Sequence, residues 1–211
     1  NYPAQVRVAG KWSVLAILAF ALALISLDNT IVNVALPSLQ EDLGASTAEL
    51  QWVVDAYSVL FAGTLLLAGS LGDRFGRKRI LLIGLVVFGL GSLAAGAAPD
   101  ASVLIACRAV MGIGGAFIMP STLSILVQTF RAPTERAQAI GVWAAVAGVG
   151  VAIGPIVGGL LLEHFSWHSV FLVNPPLVAI VFALTALFVP ESLDESKPQL
   201  DLRGAALSSL G

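Results

Sequence analysis

Apolar runs long enough to cross a bilayer follow one another through almost the whole chain, and no other feature of the sequence constrains its fold as strongly. A hydrocarbon core is spanned by ~20 predominantly apolar residues in a helix. Runs bounded by charges or turn residues fall at about 12–36, 48–71, 79–97, 101–127, 136–162 and 169–189. The sequence therefore predicts an all-α polytopic membrane bundle of six spans. Only 11% of the 211 residues are charged, against about 25% in an ordinary soluble domain, which excludes a soluble globule. A formal net charge of −2 and no long basic face leave no electrostatic footprint for nucleic acid. The lone cysteine, Cys107, excludes an internal disulfide.

A seventh run starts at Arg203–Gly204 and reaches Gly211, and Asn1 is not an initiator methionine. The expected organisation is a six-helix bundle over 1–190, a cytoplasmic linker over 191–202 and the start of a seventh helix over 203–211, all within a longer protein.

The basic residues set an orientation. Arg7 and Lys11 precede span 1, Arg74, Arg77, Lys78 and Arg79 separate spans 2 and 3, Arg131 and Arg136 separate spans 4 and 5, and Lys197 and Arg203 follow span 6. The intervening loops carry Glu41, Asp42, Glu49, Asp100, Glu163, His164 and His168 but no Lys or Arg. The positive-inside rule then puts both ends of the chain in the cytoplasm.

Three charges remain inside spans: Asp28, Asp55 and Arg108. Each costs ~2.5–3.5 kcal/mol at a helix centre, so such residues rarely face lipid and mark functional pathways. Counted from the outer span ends at ~1.5 Å per residue, they share a depth of roughly 11–13 Å, which allows two carboxylates and a guanidinium to line one vestibule. A carboxylate in a partly dehydrated cavity can take a proton from one side and exchange it for a cation from the other. The plainer alternative is that an acid caps a helix break or pairs with Arg108 for structure alone.

Glycines punctuate two segments. Gly69-Ser70-Leu71-Gly72-Asp73-Arg74-Phe75-Gly76-Arg77-Lys78-Arg79 must reverse the chain between two helices, and Gly72 and Gly76 supply the backbone freedom. Asp73 meets the unfavourable end of its helix dipole and requires a partner such as Arg77 or another helix's N-terminus. In span 5, Gly150, Gly154 and Gly158 recur every four residues and offer one face to a close neighbour, while Pro155 bends the helix. Gly112, Gly114 and Gly115 give span 4 a similar surface. Glu163, His164 and His168 read as interfacial residues, not as metal ligands. Trp12, Trp52, Trp143 and Trp167 read as an aromatic belt. With no nucleotide-binding loop or hydrolase motif, neither an ATP-driven module, nor an enzyme, nor a cofactor is expected.

These motifs resemble the major facilitator superfamily, in its 14-helix drug:proton antiporter branch, with the chain as the N-terminal half. Leu27-Asp28-Asn29-Thr30-Ile31-Val32-Asn33-Val34-Ala35-Leu36-Pro37 is similar to the branch signature and Gly69 through Arg79 to the cytoplasmic gate motif. Arg108 with Gly112 resembles the basic motif tied to proton coupling. Gly150, Gly154, Pro155, Gly158 and Gly159 resemble the antiporter motif. Gln51 through Tyr57 and Phe165 through Ser169 are similar to exporters of quaternary ammonium antiseptics and dyes, although Trp167-His168-Ser169 stands where many relatives have Trp-Arg-Trp. The resemblance implies alternating-access export of lipophilic cationic drugs in exchange for protons, in a bacterial-type cytoplasmic membrane. Asp28 and Asp55 would carry substrate charge and protons, with Arg108 beside them. Gly69, Gly72, Asp73, Arg74, Gly76, Arg77 and Lys78 would form the gate, and Gly154 and Pro155 the bend that seals a leak. The absent C-terminal half would complete the cavity. An exporter of an endogenous metabolite, anions included, and a non-transporting membrane sensor or scaffold are the rival readings.

Overall fold

The structure is a computed structural model describing residues 10–191, so the seventh run and residues 192–202 lie outside the described residues. The elements in chain order are α1 (Lys11–Leu43), α2 (Thr47–Phe75), α3 (Arg77–Ala95), α4 (Ala101–Thr129), α5 (Pro133–His164), α6 (His168–Leu172) and α7 (Asn174–Phe188). Six segments, namely α1 to α5 and the α6–α7 stretch, are long and apolar enough to cross a membrane. The described residues are thus all-α, with six helical segments of membrane-spanning length.

Two boundaries differ instructively from expectation. The first span continues through Pro37 to Leu43 and stops at Gly44, whose φ of 62° is the left-handed helix cap that glycine favours. A proline removes only one ladder bond, and the turn beyond it stays docked through fully buried Leu39. The sixth span, expected to be one helix, is divided at Val173 into α6 and α7. Pro175 and Pro176 have no N–H to give to the carbonyls four residues earlier, so those of Phe171 and Leu172 lose their helical partners. The hydroxyl of Ser92 on α3 donates to the freed Phe171 carbonyl at 2.8 Å.

Local chemistry fixes other helix ends. Ser46 and Glu49 form a reciprocal capping box at the start of α2, and the Asp100 side chain accepts from the Val103 N–H at 2.9 Å to start α4. Packing is not sequential: α1 lies mainly on α5, α4 lies on both α2 and α3, and α7 covers α3, while consecutive α1 and α2 touch little. The glycine face of α5 makes the first contact possible. A Cβ at Gly150 would sit 2.7 Å from the Ala23 carbonyl oxygen, and one at Gly154 would collide with the Thr30 side chain. Gly158 lies over Ile31, whereas Gly159 points into open space. Pro155 is exposed and α5 runs past it without interruption.

Candidate functional site

The centre of the bundle holds a buried polar cluster assembled from five helices. Asp28 of α1 and Arg108 of α4, both 0% exposed, are joined by a 2.6 Å ion pair between Arg108 Nη1 and Asp28 Oδ2. Arg108 Nε donates to the Val53 carbonyl of α2 at 3.0 Å, and its guanidinium lies over the Tyr57 ring at 4.5 Å. The other carboxylate oxygen, Asp28 Oδ1, accepts from Asn174 Nδ2 of α7 at 2.8 Å. The same amide nitrogen donates to Ser92 Oγ of α3 at 3.0 Å. Pairing of the opposite charges with further hydrogen bonds is what a charge removed from water requires. Two atoms of the cluster, Arg108 Nη2 and Asn174 Oδ1, are nevertheless buried without a hydrogen-bond partner.

Beside the cluster, a cavity of about 360 Å³ opens between α1, α2, α4 and α5. Its wall is apolar and aromatic, with Tyr57, Phe61, Met119 and Trp143 prominent and Ser26, Asn29 and Ser58 as polar points. Tyr57 and Phe61 stack at 6.0 Å between centroids. The Trp143 indole N–H is taken by Thr122 Oγ1 at 3.3 Å, so its ring is held in place. Tyr57 belongs to both features, lining the cavity and covering Arg108. It can do so because α4 is stripped to glycine there: a Cβ at Gly112 would clash with the Tyr57 backbone carbonyl, and one at Gly115 would sit 2.7 Å from the Tyr57 hydroxyl.

The three intramembrane charges are therefore not brought into one vestibule. Asp28 and Arg108 meet, but both lie behind the cavity wall, not on it. Asp55 is half-buried on α2 and makes no hydrogen bond or ion pair among the described residues. Val53 and Tyr57 face α4, and at 100° per residue Asp55 falls on the opposite side of the helix with exposed Gln51, Ser58 and Ala62. Of the tryptophans read as an aromatic belt, Trp12 and Trp52 are about half exposed, whereas Trp143 and Trp167 are buried. Trp143 stands ten residues into α5, deep enough to face the cavity.

At the basic face, Arg77 Nη2 pairs with Asp73 Oδ1 at 2.6 Å across the α2–α3 turn. Gly76 has φ of 107°, a conformation other residues rarely adopt, and marks the turn itself. Gly72 is buried against Arg77 and Ser121, Gly69 has open space where a side chain would be, and Arg74 is exposed over the Phe75 ring. Lys78 Nζ donates to the Ala186 carbonyl at 2.8 Å, and its backbone N–H to Glu191 Oε1 at 3.1 Å. The sequence reading did not single out Glu191, Asn174 or Ser92. The available signal was polar chemistry interrupting an apolar span, Asn174 directly before two prolines.

The described residues form a six-span bundle with a buried ion pair beside an aromatic cavity, and comparison with known proteins shows its family. The profile of the Major Facilitator Superfamily matches residues 18–210, and the chain belongs to that family. It is 46% identical over 197 residues to the methyl viologen resistance protein SmvA of Salmonella typhimurium, covering 93% of this chain and 40% of that protein. It is 45% identical to the multidrug efflux pump LfrA of Mycolicibacterium smegmatis (93% and 39%). The puromycin resistance protein pur8 of Streptomyces alboniger is 43% identical (95% and 40%). The chain thus spans about two fifths of the length of these relatives. In fold it superposes on the human organic anion transporter MFSD10 with a TM-score of 0.77 at 19% identity, covering 95% of this chain and 53% of that one.

Proposed function

We propose that the chain is the N-terminal half of a proton-driven exporter of lipophilic cations working by alternating access. The observation that carries this reading is the Tyr57 ring, which separates an aromatic cavity from a buried carboxylate held by a guanidinium. Aromatic faces attract organic cations without a fixed counter-charge. The carboxylate behind them supplies a protonatable group whose pairing with Arg108 differs between its two forms. Resistance to methyl viologen, a permanent dication, in a relative 46% identical supports the cationic class. Arg108 is already committed to Asp28 and Val53, which weighs against an anion-recognition role.

In this proposal the second half closes the cavity over the uncovered sides of α2 and α5, as in transporters whose sites lie between halves. Asp55 serves as a second recognition or proton site on that junction. The basic loops face the cytoplasm of a bacterial-type membrane, and the Gly69–Lys78 turn acts as the gate. The antiporter glycines keep α1 and α5 moving as one body.

The test uses the full-length protein in inverted, respiring vesicles with a luminal pH dye. Methyl viologen should dequench the dye in wild type, and Asp28→Asn should abolish the response. A wild-type response preserved in both Asp28→Asn and Asp55→Asn overturns the assignment of the carboxylates. No response to several organic cations from correctly folded protein overturns the cation-exporter reading.

A further inference from the structure

The pairing around Asp28 is asymmetric. One carboxylate oxygen is held by a cation that cannot give up its charge, the other by a neutral amide. A proton arriving from solvent must bind one of them. At Oδ2 it would displace the Arg108 ion pair, whereas at Oδ1 it replaces only the Asn174 N–H.

Asn174 is equipped for both forms. Its amide nitrogen now donates both hydrogens, to Asp28 Oδ1 and Ser92 Oγ, a pattern that matches an ionised carboxylate. Its carbonyl oxygen is buried with no partner, an arrangement that costs free energy unless another state uses it. Turning the amide over would present that oxygen, with its two lone pairs, to the acid O–H of protonated Asp28 and to the hydroxyl of Ser92. Ser92 can supply that hydrogen by releasing the Phe171 carbonyl to which it now donates. That carbonyl is free to need Ser92 only because Pro175 gives it no helical N–H.

We propose that Asn174 is a positioning residue for Asp28, holding the carboxylate ionised through its amide N–H and accepting the acid's O–H through its carbonyl once Asp28 is protonated. One solvent proton is gained by Asp28 Oδ1, the amide turns so that its two N–H groups leave Asp28 and Ser92, and the Ser92 hydrogen leaves the Phe171 carbonyl for the Asn174 oxygen. The consequence is that the protonation state of α1 is read at the α6–α7 break. The charged and titratable groups facing Asp28 are Arg108 from α4 and Tyr57 from α2. From α3 and α7 come only Ser92 and Asn174, and α5 presents its glycine face to α1. The inference rests on the proton-carrier reading of Asp28 given above.

The experiment is an infrared pH titration of the full-length protein in liposomes, following the carboxylic acid C=O band that is lost in Asp28→Asn. A hydrogen bond to the charged form is about twice as strong as one between neutral groups, so removing the amide favours the acid. Asn174→Leu should move the midpoint of the band up by about one pH unit, with the pH profile of cation export moving alongside. Ser92→Ala should move it in the same direction by less, and it decides the matter if Asn174→Leu fails to fold. Midpoints unchanged from wild type overturn the role of Asn174 while leaving Asp28 as proton carrier. A wild-type acid band that does not depend on Asp28 overturns the proton-carrier reading and this inference with it.

Discussion

Asp28 and Asp55 are the same residue type at similar depth, and the protein treats them in opposite ways. Asp28 is fully buried with both oxygens bonded, by Arg108 from α4 and Asn174 from α7. Asp55 is half-buried, bonds to nothing among the described residues, and stands on the side of α2 that faces away from α4. The helices bearing them follow the same division. In its membrane window α1 is 61% buried, whereas α2 and α5 are only 22% and 17% buried. A charge answered inside the bundle holds that bundle together. A charge left on an uncovered helix face contributes nothing of that kind among the described residues.

The contrast is broken most severely by removing the partner of the buried acid. Arg108→Leu strands Asp28 in a place without water, and uncompensated buried charges of this kind cost about 3–5 kcal/mol. Thermal unfolding of the full-length protein in detergent should register that loss. Adding Asp28→Asn to Arg108→Leu should recover most of it, because the stranded charge is then gone. Equal losses in the single and double variants would show that Arg108 acts through packing on Tyr57 and not through the carboxylate.

A second contrast lies within one motif. Gly154 and Gly159 are both part of the α5 glycine pattern, but only Gly154 meets α1, where a side chain would collide with Thr30, while Gly159 faces open space. Gly154→Val should destabilise the α1–α5 pair by about 1–3 kcal/mol, as overpacking does, and Gly159→Ala should leave the unfolding midpoint within a degree or two of wild type. Equal sensitivity at the two positions would mean that the second half of the transporter packs against Gly159.

Much of this was legible in the residues. Span number and helix class followed from apolar run length, and a close helix approach along α5, though not the identity of α1 as the partner, from the four-residue spacing of Gly150, Gly154 and Gly158. The unfavourable helix end that Asp73 occupies calls for a partner, and of the two candidates, Arg77 and another helix's N-terminus, the structure pairs it with Arg77. What could not be read was anything that depends on which helix lies beside which. Equal depth suggested that Asp28, Asp55 and Arg108 share a space, yet depth fixes only one coordinate, and the rotation of α2 puts Asp55 on the far side. Asn174 and Ser92 went unnoticed because neutral polar residues carry no charge signal in a span. Their importance comes from a carbonyl freed by Pro175, 79 residues from Ser92 in the chain. Glu191 likewise reaches Lys78 across 113 residues, a contact no local pattern encodes.

Asp55 supplies the smallest expected effect on stability and the sharpest separation of structure from function. With no bonded partner inside these spans, Asp55→Asn removes a charge without stranding another, so the unfolding midpoint should stay within the roughly 0.5 kcal/mol of an uncoupled substitution. Under the proposed function, export of a dication such as methyl viologen should fall far more than stability does, because Asp55 is there a recognition or proton site and not a structural charge. Measuring both in the same preparation keeps the two apart. A large stability loss would show that the second half supplies Asp55 with a cationic partner, making it a structural residue of the complete transporter. An unchanged midpoint with unchanged export would leave Asp28 as the single working carboxylate of this half.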